Sequence, residues 1–281
     1  MSKIAVIGIC GNSVFMEVDR FPCGGETLSA KSMYSEMGGK GMNQAIAAAR
    51  MGAEVSFLAA VGDDEAAKEC ARVLRKENIH AHLQIKKEKQ TTTAYIVTDC
   101  NGENCVTVYC DAELTEEDVF GFETAIAESD FLLLQQEVPA KVNKAAIRLA
   151  VKHGVRVILN PAPIRKIDDE DLALVWLVTP NEGEKRALHG LQVRNCITTL
   201  GRLGCCINGA HHIPARSVKA VDTTGAGDTF NGVLAVCLAE GMDLIEAAEY
   251  AVAASGLSVT RPHVLQAIPT RQEIERMIKN E

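Results

Sequence analysis

The chain has 281 residues, 47% hydrophobic and 23% charged, which is ample for a large buried core. Its net charge of −8 and isoelectric point near 5.5 argue against a general nucleic-acid binder, although a locally positive pocket stays open. No run approaches the ~18 apolar residues of a membrane span, and the opening MSKIAVIGIC is too short for a secretory leader.

In chain order, KIAVIGI (3–9) reads as a first strand. NQAIAAARMG (43–52) reads as a small-residue helix closed by Gly52. EVSFLAAVG (54–62) is a strand and 64–78 an amphipathic helix. FLLLQQE (131–137) is a strand, 140–154 a helix and RVILNPAP (156–163) a strand. VWLVTPNEGE (175–184) is a strand running into a helix start. Such alternation predicts a parallel sheet with helices on both faces. Residues 12–36 and 91–110 break the rhythm as antiparallel strand material, the second carrying a hairpin signal at NGEN. They are expected to form a small lid on one domain spanning 1–281. Ten cysteines without any C-x-x-C or common zinc spacing are expected to be reduced thiols of a cytoplasmic protein, used as small apolar side chains. Trp176, the only tryptophan, is expected in the core.

In an open parallel sheet, ligands bind beyond the carboxyl ends of the strands. The segment VDTTGAGDTFNG (221–232) lies where an apolar helix begins. A helix start offers about four unpaired N–H groups and roughly half a positive charge. Gly225 and Gly227 let an anion approach those amides without a Cβ in the way. Asp228 would repel a bound phosphate, so its presence suits a base that takes the proton of an attacking hydroxyl. The alternative is a plain N-terminal cap. In TPNEGE, Asn181 and Glu184 stand three apart and share a face on a first helical turn. They suit either a hydrated Mg²⁺ or a capping pair. Neither a Walker A motif nor a dinucleotide glycine fingerprint occurs, which disfavours an oxidoreductase.

Over nearly its full length the chain resembles the ribokinase-like (PfkB-type) carbohydrate kinases. The matching pieces are GGKGMNQAIAAARMGAEVSFLAAVGDD (38–64), LLLQQEVP (132–139), LNPAP (159–163), VTPNEGE (178–184), TLGRLG (199–204), VDTTGAGDTFNG (221–232) and AVAASGLSVTR (251–261). The resemblance implies a three-layer α/β/α sandwich with a mostly parallel central sheet and a projecting β-sheet lid. It implies ATP-dependent phosphorylation of a primary hydroxyl on a small sugar, with a nucleoside kinase or a non-catalytic binding relative as alternatives. By the same resemblance Asp228 is the base, and Gly225, Ala226 and Gly227 form the anion hole. Gly39, Lys40, Asn43 and Glu137 surround the sugar. Asn181 and Glu184 govern Mg²⁺ and phosphate, Thr199 and Gly201 line the nucleotide, and Asp222 and Thr224 belong to a potassium site. A homodimer joined through the lids is also implied. Arg202 is read either as reaching the nucleotide phosphates or as a solvated loop residue.

Three departures stand out. The family's sugar-binding N-x-D falls on Gly11-Asn12-Ser13, so Ser13 takes the place of a carboxylate and Asn12 sits one position away. Glu17 or Asp19 would substitute only if aimed inward. The interval 185–198 is short. The glycine that often follows VTR is Pro262 or His263 here, with His263 read as a loop residue over the nucleotide edge.

Overall fold

The computed structural model describes residues 1–188 and 193–279. The chain opens with β1 (Lys3–Ile7), β2 (Gly11–Glu17), β3 (Ser32–Gly38), α1 (Lys40–Arg50), β4 (Glu54–Val61), α2 (Glu65–Lys76) and β5 (His80–Ile85). The hairpin β6 (Thr92–Thr98) and β7 (Asn104–Tyr109) follows, then short helices α3 (Glu116–Phe120) and α4 (Glu123–Ala127). Next come β8 (Phe131–Gln135), α5 (Ala140–Lys152), β9 (Arg156–Asn160), α6 (Asp169–Leu174), β10 (Leu177–Val178) and α7 (Glu182–Ala187). The last part holds β11 (Ile197–Thr199), β12 (Cys205–Ile207), β13 (His211–Ile213), α8 (Ala226–Ala239), α9 (Leu244–Ser258) and α10 (Arg271–Lys279).

Six strands form the central sheet in the order β10-β9-β8-β1-β4-β5, every adjacent pair parallel. Side chains of a strand alternate between faces, and β1 shows what that does to the core. Ile4 and Val6 pack with α1, α8 and α9 on one side, whereas Ala5 and Ile7 pack with α5 and the α3–α4 pair on the other. Both faces are covered, which explains why these strands are apolar runs rather than alternating ones. Three layers result, as expected. Trp176 is half-buried rather than core, tilted on Phe131 at 5.4 Å with the Arg156 guanidinium 5.0 Å from its ring.

The lid is a second sheet, ordered β3-β2-β6-β7. β6 and β7 fall inside the expected 91–110, whereas β2 begins at Gly11 and β3 runs on to Gly38, past both ends of the expected 12–36, and residues 18–31 between them carry no strand. The β2–β3 and β6–β7 pairs are antiparallel, while β2 pairs with β6 in parallel. The all-antiparallel expectation fails at that pair because β2 and β6 are not hairpin partners: the chain runs through α1, β4, α2 and β5 between them. A third small sheet, β11-β12-β13, sits beside β10, with isolated bridges joining Val178 to Cys196 and Asn181 to Thr199. Of the short 185–198 interval, residues 189–192 lie outside the described residues. All ten cysteines are free, and Cys205 is buried while its neighbour Cys206 is half-exposed. No described helix is long and apolar enough to cross a membrane.

Candidate active site

Chain order runs outward from β1 to β4 and β5, then returns to β8 on the other side of β1. The crevice beyond the carboxyl ends of β1 and β8 is therefore the switch point where such sheets bind ligands. α1 starts there. Gly39 precedes it at φ 107°, which an L side chain rarely adopts, and an added Cβ would lie 2.7 Å from the Ile9 carbonyl oxygen. A Cβ on Gly41 would come within 2.7 Å of the Gly8 Cα. The bare backbone of GGKG thus lets the helix start press against the end of β1. The Lys40 amide donates to Glu137 Oε2 at 2.9 Å, tying α1 to the end of β8.

Asp228 enters the same crevice from the first turn of α8 and is buried. Its carboxylate does not cap its own helix, because the N-cap is Gly225 and no side chain caps there. Asn43 Nδ2 donates to Oδ2 at 2.9 Å and Gln44 Nε2 to Oδ1 at 3.0 Å. Two amides to a charged acceptor offset the desolvation of the buried carboxylate by about 1.5–3 kcal/mol each. This contact needs α8 and α1 to approach closely, and Gly232, one turn after Asp228, permits it. A Cβ at 232 would stand 2.5 Å from both Ala47 Cβ and the Gln44 carbonyl oxygen.

Sequence reasoning missed the layer beneath. Gln44 also contacts Asn160 Oδ1 at 3.3 Å and accepts from Gln135 Nε2 at 2.7 Å. Asn160 donates to the Thr179 carbonyl, Thr179 Oγ1 donates to Asn231 Oδ1 at 2.6 Å, and Asn231 Nδ2 donates to the Gly227 carbonyl at 2.8 Å. All five residues are buried. A closed amide–hydroxyl relay therefore holds both the Asp228 carboxylate and the turn of α8 that carries it. The available signal was polar residues at strand ends, Gln135, Asn160 and Thr179, where a buried strand should stay apolar.

Gly225 takes the left-handed conformation, φ 75°, and a Cβ there would strike Val264 Cγ1 at 2.5 Å. Gly227 is exposed, and beyond its own helical turn no described atom lies within 4 Å of the position its Cβ would occupy. The Ala226 amide bonds the Thr223 carbonyl at 3.3 Å, so the expected hole narrows. The Gly227 and Asp228 amides have neither an intrahelical acceptor nor a capping side chain. They lie at the positive end of a 14-residue helix.

A cavity of about 190 Å³ opens over this floor. It brings together Asn12, Ser13, Gly39, Lys40, Asn43, Glu137, Thr224, Gly225 and Asp228. Asn43 Oδ1 and Asn12 Oδ1 are buried acceptors with no partner among the described residues. The negative charge of Asp228, aided by Glu137 and Glu184, holds Lys40 above the ordinary lysine range against the opposing effect of burial. Burial pushes Glu137 up to about 7, with the Lys40 charge pulling the other way.

Asn181 and Glu184 form a capping box at the start of α7, each side chain accepting the other's amide at 2.8 Å. Burial raises Glu184, and the Lys40 charge that opposes this links α7 electrostatically to the cavity. The Thr199 amide bonds the Pro180 carbonyl at 2.9 Å, which sets Thr199 beside Asn181. Gly201 follows at φ 55° with open space over it, and Arg202 is exposed. Asp222 Oδ1 accepts the Thr224 amide at 2.9 Å.

Neither Glu17 nor Asp19 lines the cavity. Both are exposed, Glu17 accepting from Ser32 Oγ and Asp19 pairing with Lys31. His263 lies in the loop that follows α9, beside Val264. It keeps a glycine-like φ of 67° and packs edge-on against Tyr34 at 4.5 Å, and Tyr34 stacks on Phe15 at 4.7 Å.

The profile of the pfkB family carbohydrate kinases matches residues 1–271. A ribokinase of Haemophilus influenzae is 35% identical, the match covering 96% of each chain. The solved ribokinase of Thermotoga maritima superposes with a TM-score of 0.91 at 33% identity over the whole of both chains. A ribokinase of Arabidopsis thaliana, solved with ribose and ATP, gives 0.87 at 26% identity over 99% of each.

Proposed function

Since the chain belongs to the pfkB family of carbohydrate kinases and is an ATP-dependent sugar kinase, we propose that Asp228 is its base and that the accepting group is a primary hydroxyl. The observation that carries this reading is the pairing of a buried, doubly anchored carboxylate with two free amides on one helical turn. The carboxylate takes the hydroxyl proton as the oxygen attacks the γ-phosphorus of ATP, whose bond to the β-phosphate oxygen breaks and releases ADP. The Gly227 and Asp228 amides, with Gly225 and Ala226 shaping the turn, take up charge developing on the transferring group. Lys40 adds a positive charge on the same side.

Gly39, Lys40, Asn43, Glu137, Asn12 and Ser13 hold the sugar, and the unpartnered Oδ1 of Asn43 accepts one of its hydroxyls. Asn181, Thr199, Gly201 and Arg202 hold the nucleotide, with the open backbone at Gly201 as its floor. Magnesium entering with the nucleotide supplies charge stabilisation. The Glu184 oxygen not used in the capping box suits contact to it through water. Asp222 and Thr224 hold a monovalent cation beside the anion hole. The protein works in the cytoplasm, where its ten free thiols stay reduced. A second copy pairs with it through the outer face of the lid.

The test is ADP release, coupled to a detection enzyme, with ATP and a panel of pentoses, hexoses and nucleosides. Turnover on a pentose or hexose is expected. Turnover restricted to nucleosides, or none at all, overturns the sugar-kinase reading.

A further inference from the structure

Position 13 lacks the carboxylate its motif calls for, yet the site does not lack one. In the lid register Ser13 stands directly opposite Glu36 of β3. Directly opposed residues project to the same face with Cβ atoms about 4.5–5.5 Å apart. That face is the inner one: Phe15 of β2 and Ile96 of β6, of the same parity, pack with Val264, and Ser13, Glu36 and Gly38 line the cavity beside them. Ser13 Oγ and Asn43 Oδ1 flank the same side of Gly38, at 3.2 and 3.7 Å from where its Cβ would sit. Glu36 is half-buried, and its carboxylate is pinned rather than free. Oε1 accepts the Val264 amide at 2.8 Å and Oε2 the Leu265 amide at 3.4 Å. Two amides leave lone pairs on both oxygens unused. Val264 is also the residue that faces Gly225.

We infer that Glu36 is the carboxylate that accepts the hydroxyls of the sugar, moved one strand over from position 13, and so determines acceptor specificity. The inference rests on the sugar-kinase reading. The sugar donates one or two O–H groups to Glu36, Ser13 Oγ and Asn43 Oδ1 complete the set, and Phe15, Ile96, Val106 and Val108 cover its C–H face. A carboxylate at both 13 and 36 would set like charges face to face, which accounts for the serine.

The experiment measures kcat and KM for D-ribose, or for the panel sugar of highest kcat/KM where D-ribose is not turned over, together with its 2-deoxy and 3-deoxy forms. Glu36→Gln is expected to raise the sugar KM roughly 10- to 100-fold, the loss of a charged hydrogen-bond acceptor, with kcat and the ATP KM changed less than about 3-fold. The wild-type preference for the parent sugar over one deoxy form collapses in the variant, which loosening of the Val264 loop alone would not do. Moving the carboxylate back, Ser13→Asp with Glu36→Ala, recovers at least about 10-fold of the kcat/KM lost in Glu36→Ala. An active wild type whose Glu36→Gln variant keeps its sugar KM and deoxy discrimination overturns this inference alone. A wild type active on no sugar overturns the sugar-kinase reading and this inference with it.

Discussion

Asp228 and Gly227 are adjacent in sequence, and the proposed function divides the work between the side chain of one and the backbone of the other. Because nothing beyond its own helical turn lies within 4 Å of a Cβ on Gly227, Gly227→Ala meets no described atom outside that turn. Alanine in a helix is up to about 1 kcal/mol better than glycine, a rise of about 2 °C or less in Tm for a chain of this size. Under the proposed mechanism the added methyl obstructs the transferring group's approach to the amides, so kcat/KM is expected to fall roughly 10²-fold. Thermal melts and steady-state kinetics on one preparation check the pair of effects, and a variant as active as wild type contradicts it. Glu137 gives a pH signature. Burial lifts its carboxyl from 4.5 to about 7, so the folded protein binds this proton more tightly than the unfolded chain does. The stabilisation is complete below about pH 4.5 and is lost as pH rises through about 7. Glu137→Gln cannot ionise, so its Tm relative to wild type should climb between pH 4.5 and pH 8. A difference that is flat across that window contradicts the assignment.

At the scale of elements, the site depends on how closely α8 approaches α1. Gly232→Ala should reverse the sign that helix propensity gives, because its Cβ meets Ala47 Cβ and the Gln44 carbonyl at 2.5 Å. Overpacking of this kind costs about 1–3 kcal/mol. It also pushes Asp228 away from Asn43 and Gln44, so activity falls along with chemical-denaturation stability. A stabilised, fully active variant would mean that the close approach is dispensable. The two helices were legible as apolar, small-residue segments, and the Gly-Ala-Gly-Asp turn was legible from its clash with helix propensity. The relay through Gln44, Asn160, Thr179 and Asn231 was not, because each residue reads alone as an ordinary polar side chain, and only the sheet order puts them within 3.5 Å of one another. Glu36 was hidden for the same reason: Ser13 and Glu36 are 23 positions apart, and only the strand register pairs them.

For the molecule as a whole, alternation of strand and helix was enough to foresee the parallel sheet with helices on both faces. It could not foresee the parallel β2–β6 pair, because local patterning carries no record of which distant strands meet. The outer face of the lid is a whole-molecule feature as well. Met33 is 70% exposed, Tyr95 46% and Tyr109 50%, on a sheet whose edge strand β7 is exposed along its length. A second copy laid on this face would cover them. Sedimentation velocity should show a dimer, and Tyr95→Asp should shift it to monomer without unfolding it. A wild-type chain that is monomeric at every concentration removes the lid pairing.

The central claim concerns the carboxylate at 228, and Asp228→Asn tests it most directly. Single-turnover transfer from γ-³²P-labelled ATP to the panel sugar that wild type uses best isolates the chemical step. Removing a general base lowers that rate by about 10²–10⁴-fold, and sugar and nucleotide binding, read by thermal shift, should persist. Transfer by the variant at close to the wild-type rate would contradict the account.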